Sequence, residues 1–186
     1  MAKIYVFITD GNEETEIIAP ADLLRRAGND VTLVSANGKL ETTGANGLKI
    51  CADKLIEDEE YLDGDVYMIP GGLPGAEILG ADKRVTDLLM YAFENGKHVG
   101  AICASPAVVF AKLGIISGKK ATCYPGCEGA LEEGNAEATG LPAVTDGNVT
   151  TGKGPGAAAA YGIELVRVIN GEAAAEKLAG EFIFQG

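Results

Sequence analysis

With 186 residues the chain can bury one sizeable core, and no Ser-rich, Pro-rich or charged linker divides it, so residues 1–186 read as a single domain. A net charge of -12 weighs against nonspecific nucleic-acid binding, because that field repels a polyanion unless a local basic patch overcomes it, and the sequence has none. The opening MAKIYVFITDGNEE has too short an apolar run for a secretory signal, and no stretch approaches the roughly 20 apolar residues of a membrane span; a soluble, cytoplasmic protein with no membrane partner is expected.

Short β-branched or aromatic runs alternate with helical patterns along the chain. Lys3 to Thr9 (KIYVFIT) reads as a buried parallel strand. Glu14 to Ala27 (ETEIIAPADLLRRA) reads as a helix closed by Gly28, and Asp30 to Ser35 (DVTLVS) as the next strand. The segment Lys39 to Cys51 (KLETTGANGLKIC) places Asn46-Gly47 between two alternating runs, the signal of a small antiparallel hairpin. Asp65 to Ile69 (DVYMI) and His98 to Ile102 (HVGAI) are further strands, separated by a helix over Asp82 to Glu94 that closes at Asn95-Gly96. A helix over Ala104 to Leu113, closed by Gly114, follows. Lys120 to Thr122, Ala143 to Thr145 and Asn148 to Thr151 look like additional strands, and Pro155 to Asn170 and Glu172 to Leu178 like closing helices. This βαβ rhythm predicts an α/β fold, a doubly wound sandwich with a mostly parallel sheet. Ligands of such a fold bind at the carboxyl ends of the strands, near the switch in strand order.

Three sequence features fall at such strand ends. Cys103 follows the HVGAI strand at a turn into a helix, where free N–H groups and the positive end of the helix dipole stabilise a thiolate. Gly100, Ala101, Ala104 and Ser105 around it are small, as a sharp turn requires; the competing reading is a core cysteine capping a buried strand. Pro70-Gly71-Gly72 follow DVYMI, and two glycines there either present backbone N–H donors to an oxyanion or form an ordinary βα turn. Glu13, Glu14 and Glu16 open the first helix, where acids complement the dipole. One of them pointing into the crevice could hydrogen-bond the sulfur or serve as general base, provided burial raises its pKa.

Three other motifs carry less. TGKGPGA (Thr151 to Ala157) approximates a dinucleotide turn but comes late and lacks an acidic partner ending a following strand, so packing is the better reading. Four cysteines without an export signal read as free thiols, and Cys123 and Cys127 in ATCYPGC with only one histidine in the chain do not complete a zinc set; no metal is expected. That histidine, His98, lies five residues before Cys103, at the far end of the same strand, which argues against a Cys-His dyad within one subunit.

The set Glu16, Pro70-Gly71-Gly72 and Ala101-Ile102-Cys103-Ala104 resembles the DJ-1/PfpI superfamily, closest to its DJ-1/ThiJ branch. The likeness runs almost the whole length, through GNEETEIIAPADLLRRAG, LKICAD, DVYMIPGG, AICASPAVV, ATCYPG and GKGPGAAAAYGIELV. The resemblance implies a flavodoxin-like sandwich that forms homodimers, with Cys103 as reactive cysteine, Glu16 as its protonated partner, and the amides of Gly72 and Ala104 as the oxyanion site, Gly71 and Tyr124 lining it. It also implies cofactor-independent, glyoxalase III-like conversion of small 2-oxoaldehydes to hydroxy acids. Deglycase activity, chaperone-like behaviour and peroxide sensing through the same cysteine are associated with the branch as well.

Two departures bear on mechanism. PfpI-type peptidases carry a histidine directly after the nucleophile, where this chain has Ala104, and DJ-1-type relatives carry one where this chain has Tyr124. Tyrosine titrates near pKa ~10 and shuttles protons poorly at neutral pH, so Glu16 would carry most of the proton transfer. The leading expectation is an enzyme acting on a small carbonyl substrate without a cofactor. A redox sensor or chaperone-like protein and a cysteine hydrolase are the alternatives.

Overall fold

The computed structural model describes residues 1–184. The chain forms β1 (Lys3–Ile8), α1 (Glu14–Arg26), β2 (Asp30–Ser35), a hairpin of β3 (Glu41–Thr43) and β4 (Lys49–Cys51), and β5 (Lys54–Leu55). Then follow β6 (Val66–Ile69), α2 (Gly75–Ala81), α3 (Lys83–Glu94), β7 (His98–Ile102), a π-wound turn over Pro106–Phe110 and α4 (Ala111–Leu113). The last part comprises β8 (Lys120–Ala121), α5 (Glu128–Glu133), β9 (Glu137–Ala138), β10 (Ala143–Asp146), β11 (Val149–Gly152), α6 (Ala158–Asn170) and α7 (Glu172–Glu181).

Seven strands make the central sheet in the order β10-β11-β7-β6-β1-β2-β5. Only the β10–β11 pair is antiparallel. Because side chains alternate along a strand, each central strand feeds two cores. Tyr5 and Phe7 of β1, with Tyr67 and Ile69 of β6, pack on one face under Leu79, Val85, Leu89 and Phe110. Ile4, Val6 and Ile8 of β1, with Val66 and Met68 of β6, pack on the other face against Ile17, Leu24, Leu165 and Val166. Burial on both faces explains why these strands read as continuous apolar runs rather than as alternating ones.

From β1 the chain steps outward to β2 and β5, then returns to place β6 on the opposite side of β1. The switch in strand order therefore lies between β1 and β6. Loops leaving the carboxyl ends of β1, β6 and β7 meet there, as a ligand crevice in this architecture requires.

The expected elements are present, with local differences. The hairpin forms where Asn46-Gly47 predicted it, pairing Thr42 with Ile50. The helix expected over Ala104–Leu113 starts instead as the π-wound turn, in which the Ala111 N–H reaches back five residues to the Pro106 carbonyl. β8 stops at Ala121 and pairs only with β9, outside the central sheet. The Thr122 N–H is not free to extend it, being donated at 2.9 Å to Thr151 Oγ1. α2 and α5 had no signal, because glycine in GAEILGA and EGALEE reads as a breaker when periodicity is short.

Helix α6 lies against α1 through Gly162. A Cβ at Gly162 would stand 2.7 Å from Leu23 Cδ1 and 3.1 Å from the Pro20 Cα, and the latter is backbone that cannot rotate aside. Gly162→Ala is therefore expected to lose about 1 to 3 kcal/mol in urea unfolding, despite alanine's better helix propensity. A stabilised variant would show that the two helices slide apart freely.

Candidate active site

The site is assembled from four backbone segments. Cys103 sits directly after β7 with φ +67°, in the left-handed region that a non-glycine residue rarely occupies and that costs about 1 to 3 kcal/mol. Three hydrogen bonds hold it there. Its N–H donates to Gly152 O at 2.9 Å, its carbonyl accepts the Tyr124 N–H at 2.8 Å, and the neighbouring Ser105 Oγ donates to Pro70 O at 2.5 Å. The side chain is only 6% exposed, but it lines a cavity of about 280 Å³ with Glu13, Gly72, Leu73, Ala104, Tyr124, Cys127 and Pro155.

Gly71 is where the acid and the thiol approach each other. A Cβ on it would lie 2.5 Å from the Cys103 Cβ and 2.7 Å from Glu16 Oε2, so any side chain would drive the two apart. Its amide donates to Glu16 Oε2 at 2.8 Å. Its carbonyl is fixed by Asn12 Nδ2 at 2.9 Å and by the Glu13 N–H at 3.1 Å, while Asn12 Oδ1 accepts the Thr9 N–H at 2.7 Å. Asn12, which sequence reasoning passed over inside the turn DGN, thus ties the β1 loop to the β6 loop. The peptide fixed in this way directs the Gly72 N–H toward the Cys103 sulfur, and the Ala104 N–H approaches the same sulfur.

The three acids at the start of α1 separate by role. Glu14 accepts the Asn46 and Leu48 amides at 2.8 and 3.1 Å and pins the hairpin to the helix. Glu13 accepts from Asn46 Nδ2 on the rim of the cavity. Glu16 turns inward and is 1% exposed. Burial pushes its carboxyl up to about 7, with the Cys103 thiol and the Gly71 amide holding it back from going higher. Its Oε1 is buried without a hydrogen-bond partner.

Burial first, and then the Glu16 charge, push the Cys103 thiol up to about 12, against the pull of the Gly72 and Ala104 amides. This corrects the expectation that a helix end lowers that pKa. The element after Cys103 begins as a π-wound turn, and removal of the sulfur from water outweighs two amide donors. Thiol and carboxyl therefore lose their first proton chiefly from the carboxyl side.

Tyr161 on α6 is a further neighbour that the sequence did not reveal, since AAYGIE reads as core packing. Its hydroxyl is buried without a partner, Gly100 makes room for it, and burial, then the Glu16 charge, raises its pKa. Tyr124 stands at the cavity mouth and is 48% exposed. His98 lies at the opposite end of β7, bonded to Thr150 Oγ1 at 2.7 Å, and burial lowers it to about 4. The catalytic base of a Cys-His peptidase is therefore not supplied to Cys103 by this histidine. Among the described residues no group of three or more His, Cys, Asp or Glu side chains is arranged to hold a metal ion, and no strand follows β11 to supply the acid a dinucleotide turn at Thr151–Ala157 would need. No helix among them is long and apolar enough to cross a membrane.

A switch-point crevice with a strained cysteine after a parallel strand, a facing glycine pair and a buried carboxyl defines an α/β protein of the nucleophile-elbow kind. The chain belongs to the DJ-1/PfpI family, whose model matches residues 2–168. It is 36% identical over 170 residues to Protein DJ-1 homolog B of Arabidopsis thaliana, covering 91% of this chain but only 38% of that longer protein. It is 34% identical over 174 residues to Protein dj-1beta of Drosophila melanogaster, covering 94% of this chain and 92% of the relative. The structure of oxidized Toxoplasma gondii DJ-1 matches with a TM-score of 0.94 at 31% identity, both chains being covered in full.

The raised Glu16 pKa has a consequence for stability. A carboxyl whose folded pKa lies above its unfolded value of 4.5 favours folding most below pH 4.5, and that contribution is lost as pH rises through about 7. Glu16→Gln should therefore match the parent near pH 4 and exceed it by about 3 kcal/mol at pH 8, with the gap opening between those limits. Urea midpoints at several pH values measure this; a gap independent of pH would mean that Glu16 is not held neutral by burial.

Proposed function

We propose that the protein converts small 2-oxoaldehydes to 2-hydroxy acids without a cofactor, Cys103 being the nucleophile and Glu16 the proton carrier. The observation that carries this reading is a buried carboxyl titrating near neutrality, joined through Gly71 to a thiol at the edge of a small cavity. A base with a pKa near the working pH is the most effective proton carrier. The thiol, pushed upward by burial, needs such a base at the moment of attack.

In the proposed reaction the Glu16 carboxylate accepts the thiol proton as sulfur adds to the aldehyde carbon. The Gly72 and Ala104 amides then face the new oxyanion, and Glu16 returns the proton to give a neutral hemithioacetal. Glu16 next removes the hydrogen on the former aldehyde carbon and delivers a proton to the adjacent carbon, while the hemithioacetal hydroxyl proton passes to the adjacent carbonyl oxygen. The first carbon is oxidised and the second reduced, leaving a 2-hydroxy thioester and requiring no external oxidant. Water hydrolyses the thioester, releasing the hydroxy acid and the thiol. Following the family resemblance, we take the working form to be a homodimer.

With methylglyoxal as substrate, Cys103→Ala should abolish lactate formation, and Glu16→Gln should lower kcat/KM by about 10² to 10⁴. The parent's kcat/KM should rise to a plateau through an apparent pKa near 7, since the carboxylate form of Glu16 is the base. Tyr124→Phe should leave that limb in place. Equal lactate formation by the parent, Cys103→Ala and Glu16→Gln would refute the mechanism.

A second reading is redox sensing at the same sulfur. The solved Toxoplasma gondii relative is named as an oxidized form, and Cys103 here has two amides and an acid placed to stabilise an oxygenated sulfur.

A further inference from the structure

The mechanism leaves Cys123 and Cys127 unused, and the structure treats them differently. Cys127 is half-buried and lines the same cavity as Cys103. Cys123 is 3% exposed and does not line that cavity; both cysteines touch the core on the other face of the sheet and lie close enough to influence each other, but only Cys127 also reaches the cavity. Backbone hydrogen bonds bring Cys127 back toward the elbow. Tyr124 N–H donates to the Cys103 carbonyl, and the Cys127 N–H donates to the Tyr124 carbonyl at 3.0 Å. Between the two cysteines of this segment, Tyr124, Pro125 and Gly126 are exposed. Gly126 has φ +96° with nothing within 4 Å of where a Cβ would stand, so the tip of the turn faces open space, although its N–H is held by Glu128 Oε2 at 2.6 Å.

We propose that Cys127 is a resolving thiol for Cys103, closing a Cys103–Cys127 disulfide across the cavity when Cys103 is oxidised by a hydroperoxide. The inference rests on the redox reading of Cys103 and is independent of carbonyl turnover. In the first step the Cys103 sulfur takes the terminal oxygen of the hydroperoxide, giving a sulfenic acid and an alcohol or water. In the second, the Cys127 sulfur attacks the sulfenic sulfur, forming the S–S bond and expelling the oxygen as water; the Cys127 proton and the sulfenic hydrogen leave with it. A disulfide needs the two Cα atoms within about 4.4 to 6.8 Å, so the proposal requires the exposed 124–126 turn to carry Cys127 toward Cys103 across the cavity mouth. The bond would occupy the space a substrate needs and halt oxidation below sulfinate. An external dithiol would reverse it by exchange.

Intact mass and peptide mapping after about five equivalents of hydrogen peroxide, enough for the two oxygen atoms a sulfinate takes up, test this on the full chain. The expected result is a loss of about 2 Da and a peptide linking Cys103 to Cys127, both reversed by dithiothreitol. Cys127→Ser should instead gain about 32 Da at Cys103 and fail to recover, while Cys123→Ser should behave like the parent. A gain of about 32 Da in the parent, with Cys127 still open to alkylation, would overturn the resolving role while leaving Cys103 oxidation standing. A peptide linking Cys123 to Cys127 would overturn it as well. An unchanged mass in every variant would overturn both the resolving role and the redox reading.

Discussion

The site depends on the closeness of Glu16 and Cys103, and that closeness depends on a missing side chain. Gly71 lies between the acid, the thiol and the end of β7, with less than a van der Waals diameter to spare on any side. The rest of the neighbourhood serves this arrangement. Asn12 and Glu13 clamp the Gly71 carbonyl from the β1 side, Ser105 holds the preceding carbonyl from the β7 side, and Gly152 fixes the elbow from β11. Each clamp comes from the carboxyl end of a different central strand, as its last residue or in the loop that follows it. The parallel sheet thus positions the chemistry without contributing a strand side chain of its own to it.

Much of this was legible in the sequence. The parallel strands announced themselves as apolar runs because both faces are buried, and Asn46-Gly47 specified the hairpin through turn geometry alone. Cys103 and Gly71-Gly72 could be placed because strand ends are readable. Glu16 was one of three acids at a helix start, and nothing local separates it from Glu14. The choice is made by long-range partners: hairpin amides take Glu14, and the Gly71 amide takes Glu16. Asn12 and Tyr161 escaped notice for the same reason, since their importance lies in contacts far along the chain. The thiol's pKa was misjudged because a helix end can be read from sequence, whereas desolvation is a property of the whole fold.

The lack of an imidazole beside Cys103 follows from the same geometry. Ala104 and Tyr124 stand where relatives of the resembling branches place histidine, and His98 is held at the other end of the sheet by Thr150. With no imidazole nearby, the acid and the thiol form a closed pair. Between about pH 7 and about pH 12 the pair holds a single proton, and the two arrangements, neutral thiol with carboxylate or thiolate with carboxylic acid, carry the same total charge. Their balance is set by amide donors: Gly71 stabilises the carboxylate, while Gly72 and Ala104 stabilise the thiolate.

Those three amides belong to two short segments whose strain and hydrogen bonds are fixed by the fold, so the position of the shared proton is a structural property rather than a property of either residue. In the proposed chemistry a carbonyl compound or a peroxide would meet the sulfur beside the Gly72 and Ala104 amides, where growing negative charge on oxygen is stabilised. In either proposed reaction the Glu16 carboxylate, which faces the Cys103 thiol, is the group able to take the proton that the sulfur gives up. Carbonyl addition and oxidation therefore begin with the same proton movement. They diverge only afterwards, according to whether carbon or oxygen has been attached to sulfur and whether the cavity holds a substrate or the Cys127 side chain.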